Sequence, residues 1–201
     1  MVSEKISQTK ESILSAAQSL FQEKNYQTVG VREIAKRAGC SHTAIYLYFK
    51  NKSEILYEVA HKPLEKLYHT LLALEEQDLT PSVKLLEGSH IFIQFGFNNY
   101  NSFSLLFLDD GERVDQEQFT YPISELRMKS FQLLKETVTS LLSPDLTQEQ
   151  ALNVVRGIYL FLQGMVTNYA DGQTSYDERL RTIVTDYLTY TIIQKRKEEC
   201  Q

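Results

Sequence analysis

GVREIAKRAGCSHTAIYLYFKNK, residues 30–52, is the stretch that decides the fold of this 201-residue chain. Apolar residues recur at helical spacing over Val31–Ala38, and Gly39 follows at the position where a helix can end in the left-handed conformation. Ser41 then offers a hydroxyl that can cap a second helix, which we predict over 42–48. Two helices joined by a short turn with a glycine form a helix-turn-helix, whose second helix can lie in the major groove of DNA. The stretch therefore predicts a DNA-binding regulator.

The composition indicates a chain that can bury a sizeable core, since 42% of its residues are hydrophobic and it contains 10 Phe and 12 Tyr. The two cysteines, Cys40 and Cys200, lie far apart and predict neither a metal site nor a disulfide, which fits a reducing cytosol. The N-terminus lacks the apolar segment of a signal peptide, and no run approaches the ~18 apolar residues of a membrane span. We therefore expect a cytoplasmic protein with no membrane segment, metal or cofactor.

The net charge of -5 is unevenly distributed along the chain. Residues 1–60 carry 8 basic and 6 acidic side chains, a net charge of +2, whereas the remainder carries 13 basic and 20 acidic side chains, a net charge of -7. A basic head on an acidic body is typical of a protein in which one domain contacts phosphates and the other does not.

Helical periodicity extends over the rest of the chain. We predict a first helix over 10–24 that ends at Asn25, and a long helix from Lys52 that Pro63 kinks or breaks. Residues 82–98 alternate partly like a strand, but their length and surroundings favour a helix. The polar residues 112–119 indicate a loop.

The C-terminal half contains two helix-start signals. Thr147 with Gln150, and Ser175 with Glu178, have the spacing of capping boxes that would open helices over 147–169 and 175–192. A further helix is predicted over 123–142. Since no segment favours a strand, we expect an all-α protein. Its expected domains are an N-terminal three-helix domain with the helix-turn-helix, residues 1–52, and a larger α-helical domain, residues 53–201.

The N-terminal quarter resembles the TetR family of bacterial transcriptional regulators over about Thr9 to Leu56. The matching positions are Ile13, Ala17, Phe21, Ile34, Ala35, Ala38, Gly39, Ser41, Ile45, Tyr46, Tyr48, Phe49, Lys52, Ile55 and Leu56. The resemblance implies a three-helix DNA-binding head and an all-α body that binds a ligand and forms a homodimer. Val29-Gly30 departs from the family, which usually places Thr or Ser there, so a hydroxyl that caps the second helix and touches phosphate is missing.

The resemblance also implies roles for individual residues. Ser41, Tyr46, Tyr48 and Lys52 would clamp phosphates with help from Arg32. His42, Thr43, Ala44 and Leu47 would face the base edges, with Ile45 and Phe49 packing inward. The alternative is that Tyr46 and Tyr48 are core aromatics, while Lys52 and His42 are merely solvated.

In the body, aromatic and polar side chains are candidates for a pocket between helices, although each could equally be plain core. They are His90, Phe92, Phe95, Phe97, Tyr100, Phe103, Phe107, Met128, Phe131, Tyr159 and Gln163. The expected guest is an apolar or aromatic small-molecule inducer.

The last two long helices would form a four-helix bundle between two subunits, because the final one carries an apolar stripe at 3.6-residue spacing. The candidate interface residues are Val154, Ile158, Met165, Leu180, Ile183, Val184, Tyr187, Leu188 and Ile192. Such a homodimer would place its recognition helices on a pseudo-palindromic operator in double-stranded DNA, with half-sites ~34–36 Å or a small multiple apart.

The sequence lacks the motifs of catalysis. None of the four histidines, His42, His61, His69 and His90, has metal-binding spacing, and there is no nucleophile elbow, Gly-rich phosphate loop or H-E-x-x-H motif. We therefore expect a ligand-responsive regulator, most simply a repressor, and not an enzyme. Two alternatives remain: a DNA-binding regulator controlled by a partner protein without a small ligand, and a cytosolic enzyme that acts on the bound ligand.

Overall fold

A computed structural model describes residues 2–24, 26–104, 106–107, 122–170 and 174–194, and the regular elements within these ranges are all helical. The helices are α1 (Val2–Glu23), α2 (Val31–Ala38), α3 (His42–Ile45), α4 (Lys52–Glu75), α5 (Pro81–Asn98), α6 (Tyr100–Ser104), α7 (Pro122–Thr139), α8 (Gln148–Tyr169) and α9 (Glu178–Leu188). A short 3-10 turn spans Tyr26–Thr28, and a π-helical turn spans Thr189–Ile193. The predicted all-α class is confirmed, and residues 82–98 are helical. The predicted helix end at Asn25 and the predicted loop over 112–119 lie outside the described residues.

The chain divides into two compact units. Unit 1 comprises residues 1–64 and 101–111, and unit 2 comprises residues 65–100 and 112–201. The expected boundary after residue 52 therefore lies inside unit 1. The reason is that Ile55 and Leu56, in the first turns of α4, are fully buried in the same hydrophobic cluster as the helix-turn-helix.

The core of unit 1 is built from one apolar face of each of its helices. Ile13 and Leu20 of α1, Ile34 of α2 and Ile45 of α3 have at most 1% of their surface exposed. Exposed ion pairs join the same helices on the outside, such as Arg37 with Glu23 at 2.5 Å. Because exposed pairs contribute little, the buried apolar cluster is what fixes the angle between α2 and α3.

Unit 2 is a bundle in which α5 packs against α7, α8 and α9, and α7 also packs against α8. The fully buried residues Ile93, Val138, Val155 and Val184 come one from each of these four helices. The bundle therefore buries an apolar stripe of every long helix that it contains.

The starts of α8 and α9, and the course of α4 at Pro63, can be compared with the individual predictions. The capping box of Thr147 and Gln150 is confirmed at the start of α8. The prediction for Ser175 is wrong: the carboxylate of Asp177 caps α9 by accepting a hydrogen bond from the backbone N–H of Leu180 at 3.0 Å. Helix α4 continues through Pro63 without a break.

Candidate nucleic-acid interface

The turn between α2 and α3 is held by backbone geometry that the sequence predicts. Gly39 has φ 68°, in the left-handed region that glycine adopts without steric penalty. The next N–H group, that of Cys40, donates to the carbonyl of Ala35 at 3.0 Å and closes the end of α2. Ser41 then caps α3 by accepting a hydrogen bond from the N–H of Ala44 at 3.1 Å. The helix-turn-helix expected from residues 30–52 is therefore present.

The second helix is shorter than predicted. Regular α-helix covers only 42–45, and Tyr46 to Tyr48 continue it as a turn. Ile45 and Phe49 anchor this segment, since they are 1% and 2% exposed, and the N–H of Phe49 donates to the carbonyl of Ile45 at 2.9 Å. The prediction that both pack inward is confirmed.

The outward face of the same segment carries the predicted base-reading side chains. Leu47 is 82% exposed, and Tyr46, which was predicted to contact phosphate, is 48% exposed beside it. His42 and Thr43 are exposed as well, and the His42 ring meets the Tyr46 ring edge-on at 5.2 Å. Ala44 is half-buried. Apolar, hydroxyl and imidazole groups thus stand together on one solvent-facing surface, which we call the reading face.

Tyr48 and Lys52, predicted to contact phosphate, have neighbours within unit 1. Tyr48 is half-buried against the hydrophobic cluster. The Lys52 ammonium donates to the backbone carbonyls of Tyr26 and Val29, both at 3.0 Å, and lies 4.1 Å from the centre of the Tyr26 ring. Burial lowers the pKa of Lys52. In this structure Lys52 ties the start of α4 to the turn that precedes α2.

Three other cations of unit 1 are not neutralised by an ion pair among the described residues. Arg32, Lys36 and Lys50 are exposed, and none forms an ion pair in the described part of the chain. By contrast, Lys10 pairs with Glu58 and Lys24 pairs with Glu33. Sequence reasoning identified Arg32 but missed Lys36 and Lys50. For Lys36 the signal was available, because no acidic residue lies four positions before it on α2, whereas Lys50 lies in the bend before α4, where helical spacing gives no such signal.

The start of α2 is open to solvent. Gly30 is its N-cap residue and provides no side-chain hydrogen bond, and no atom lies within 4 Å of the position that a Cβ would occupy. The N-cap residue therefore covers none of the N–H groups at this end of α2 with a side chain. A phosphate oxygen is a suitable acceptor for such groups.

The predicted ligand-binding residues divide between the two units. Phe103 and Phe107 belong to unit 1, where their rings stack at 4.5 Å. The remainder belong to unit 2, where Phe92, Phe95, Phe97 and Phe131 are buried and Tyr100, Met128, Tyr159 and Gln163 are half-buried.

His90 has hydrogen-bond partners on both ring nitrogens. Its Nδ1 lies 2.8 Å from the hydroxyl of Tyr176, and its Nε2 lies 3.2 Å from the hydroxyl of Thr185. Burial, helped by the nearby Arg181 charge, lowers the pKa of His90, and burial raises the pKa of Tyr176 to about 12. His90 therefore acts as a neutral cross-link between α5, α9 and the segment before α9.

The residues predicted for the dimer interface also separate by burial. Ile158, Met165, Leu180, Val184 and Leu188 are at most 4% exposed inside the single chain. The apolar stripe of α9 therefore packs against the other helices of unit 2 in the same chain. Ile183 and Tyr187 are exposed, whereas Val154 and Ile192 are half-buried. Leu160 and Tyr190, each 64% exposed, were not predicted.

The described residues offer neither a metal-binding cluster nor a membrane-spanning helix. No three His, Cys, Asp or Glu side chains in the described ranges are grouped so that they could hold a metal ion. Likewise, none of the described helices is both long enough and apolar enough to cross a membrane.

Comparison with known proteins finds relatives for both parts of the chain. Residues 13–59 match the family model of bacterial regulatory proteins, tetR family. An uncharacterized HTH-type transcriptional regulator of Mycobacterium tuberculosis is 31% identical over 74 residues, and that alignment spans 37% of each chain. The fatty acid metabolism regulator protein of Bacillus subtilis is 31% identical over 124 residues, which are 61% of this chain and 59% of the relative.

The solved structures extend the likeness to nearly the whole chain. FadR from Bacillus subtilis, crystallised in complex with stearoyl-CoA, superposes with a TM-score of 0.64 at 22% identity, over 90% of this chain and 98% of FadR. At this identity the likeness establishes the fold, which is the N-terminal helix-turn-helix followed by a helical body.

Proposed function

We propose that this chain, which belongs to the TetR family of bacterial regulatory proteins, is a DNA-binding transcription regulator that represses its target genes. The observation that carries the proposal is the reading face. Leu47 lies in the turn that continues α3 and is 82% exposed, so it contributes little to the core, whereas Ile45 and Phe49 on either side of it are buried and hold the segment in place. Apolar and hydrogen-bonding groups at such a site suit the methyl groups and purine edges of the major groove.

The surrounding charges support the same reading. Arg32, Lys36 and Lys50 remain available for phosphate oxygens, and the open start of α2 offers further donors. Phosphate contacts would supply affinity and register, whereas His42 and Leu47 would supply sequence preference.

The test is a pair of matched leucine substitutions. Leu47→Asp places a carboxylate on the reading face, and Leu79→Asp places one on an exposed loop position of unit 2. Both leucines are exposed, so both variants should stay folded. We expect Leu47→Asp to abolish protection of the operator in genomic footprinting, and Leu79→Asp to leave it intact. Normal protection by Leu47→Asp would refute the assignment of the reading face.

We also propose that the protein works as a homodimer on a pseudo-palindromic operator. One face of α9 and of the π-helical turn that follows it carries exposed apolar side chains. They are Ile183, Tyr187 and Tyr190, which share this face because they are spaced four and three residues apart. The Tyr187 ring stacks on Phe161 of α8 at 3.9 Å, next to the exposed Leu160. An exposed apolar surface shared by two adjacent helices suits packing against a second copy.

The inducer that we propose is an apolar or aromatic small molecule bound in unit 2. Aromatic rings packed together on α5, α7 and α8 support this class, because Phe92 and Phe131 both contact Tyr159. The relative named as a fatty acid metabolism regulator, and the FadR complex with stearoyl-CoA, support a long apolar guest. The inducer releases DNA only if its affinity differs between two conformations of the protein. It must bind more tightly to the conformation that cannot bind the operator than to the conformation that can.

A further inference from the structure

Helix α7 carries a buried arginine on its apolar side. Ile123, Phe131 and Val138 are 3%, 5% and 0% exposed, and Arg127 lies between the first two at a spacing of four. Arg127 itself is only 5% exposed. Packing alone would favour an aliphatic residue here, since burying a guanidinium is costly unless charge and hydrogen bonds compensate it. The position therefore points to a task other than filling the core.

A buried tyrosine hydroxyl on α8 lies beside this charge. The hydroxyl oxygen of Tyr159 is buried and has no hydrogen-bond partner, although part of the residue remains accessible. Burial raises the pKa of Tyr159 to about 12, and the neighbouring Arg127 guanidinium and Gln163 amide offset part of that rise. The hydroxyl is thus a protonated donor at neutral pH. Because a buried polar group without a partner is destabilising, its presence calls for a reason.

The groups around the hydroxyl are aromatic. The ring of Phe131 meets the Tyr159 ring edge-on at 5.2 Å, and the ring of Phe92 lies 5.8 Å from it. Arg127 keeps other interactions within the chain, but a guanidinium has five N–H donors and can serve more than one acceptor. One end of this aromatic cluster therefore combines a fixed positive charge with a hydroxyl donor and an amide donor.

We propose that Arg127, Tyr159 and Gln163 recognise the carboxylate of an inducer whose apolar body lies against Phe92 and Phe131. A carboxylate presents two acceptor oxygens, which match the flat fork of a guanidinium and accept one further bond from the tyrosine hydroxyl. The proposal rests on the proposed ligand response, and it defines the inducer as an acid with an acyl or aryl body.

Binding of matched acids and alcohols to the purified full-length protein tests the proposal. The probes are dodecanoate against dodecanol, and 4-phenylbutyrate against 4-phenylbutanol, measured by calorimetry and thermal shift. We expect at least one acid to bind about tenfold more tightly than its alcohol, as one hydrogen bond to a charged group implies. Arg127→Met should abolish this preference.

Two tyrosine substitutions keep the test decisive if Arg127→Met does not fold. Tyr159→Phe removes a hydroxyl that has no partner, so it should melt at or above the wild-type temperature while weakening acid binding about tenfold. Tyr176→Phe is the matched control, because its hydroxyl bonds to His90. It should melt lower than wild type and leave acid affinity unchanged.

The outcomes separate this inference from the proposed function. If neither acid binds, or if the two tyrosine variants weaken acid binding equally, the carboxylate site is refuted. If an alcohol binds as tightly as its acid and releases operator DNA, the carboxylate site is refuted but the inducer-responsive regulator stands. If an acid binds with the expected preference and operator affinity does not change, the carboxylate site is supported and the ligand response is refuted.

Discussion

Replacing Lys52 by methionine distinguishes the role that the structure shows from the role that the family resemblance implies. Methionine keeps an unbranched apolar side chain beside the Tyr26 ring but removes the ammonium. The two hydrogen bonds to the carbonyls of Tyr26 and Val29 are then lost. If the role of Lys52 is structural, the main effect of the substitution should be a lower stability of unit 1, and not the loss of a phosphate contact.

The magnitude follows from the contacts. A hydrogen bond to a charged group contributes about 1.5–3 kcal/mol, so two would contribute about 3–6 kcal/mol. The site is half-buried, and burial of the ammonium, which lowers the pKa of Lys52, offsets part of this gain. We therefore expect Lys52→Met to reduce the free energy of unfolding by about 2–3 kcal/mol, a large share of the ~5–15 kcal/mol typical of a domain.

Urea unfolding followed by circular dichroism measures the loss, and amide hydrogen exchange locates it in unit 1. Lys50→Met is the matched control, because Lys50 is exposed and has no ion pair within the described residues. It should leave stability within about 0.5 kcal/mol and reduce the slope of log affinity against log salt by about one, as loss of a phosphate contact does. If Lys52→Met instead keeps wild-type stability and reduces the salt slope, Lys52 contacts phosphate and the structural reasoning is refuted.

Four further substitutions address the other sites. His42→Ala should relax preference at one base pair per half-site by about 1–3 kcal/mol, and an equal loss on operator and random DNA would exclude a base contact. Tyr187→Glu should give folded monomers with weak operator binding in ultracentrifugation and anisotropy, whereas Thr182→Glu should remain dimeric; a dimeric Tyr187→Glu would contradict the proposed interface. Burial lowers the pKa of His90 below its unfolded value of about 6.5, so the melting temperature should fall as the pH drops below that value. His90→Gln should show a smaller fall, and an equal fall would assign the acid sensitivity elsewhere. Pro63→Ala restores a helical hydrogen bond within two residues of the division between the units, and should change the ratio of operator affinities with and without inducer; an unchanged ratio would make Pro63 purely structural.

Local signals in the sequence predicted much of the fold. The glycine and serine between α2 and α3, and the threonine and glutamine at the start of α8, act through atoms within a few residues of themselves. Their geometry therefore depends little on the rest of the chain. The same reasoning failed at Ser175, because Asp177 lies closer to the first turn of α9 and offers a stronger acceptor.

Contacts between residues distant in the sequence were harder to predict. Nothing local shows that the ammonium of Lys52 meets carbonyls 23 and 26 positions earlier. The apolar stripe of α9 indicates burial but cannot show whether the covering surface belongs to the same chain or to a second one. The structure places Leu188 inside its own bundle and leaves Tyr187 exposed.

The burial of Arg127 could have been predicted from the sequence, although it was not. Its position on the apolar side of α7 follows from the spacing of Ile123 and Phe131, so its burial could have been predicted from periodicity alone. Its proximity to Tyr159 could not, because that depends on how α7 and α8 pack together. Sequence patterns thus indicate which side chains are buried, while packing decides which of them meet.

In residues 42–49 the buried and the exposed side chains have separate roles, and this separation affects how such a protein can evolve. Ile45 and Phe49 hold the segment in the core, while His42, Thr43 and Leu47 project into solvent. Exchanges at exposed positions usually alter stability by no more than about 0.5 kcal/mol. After gene duplication, substitutions at the exposed positions alone can therefore change which DNA sequence the protein prefers, without producing variants that fail to fold. Ile45 and Phe49 stay unchanged while the DNA-contacting side chains are replaced.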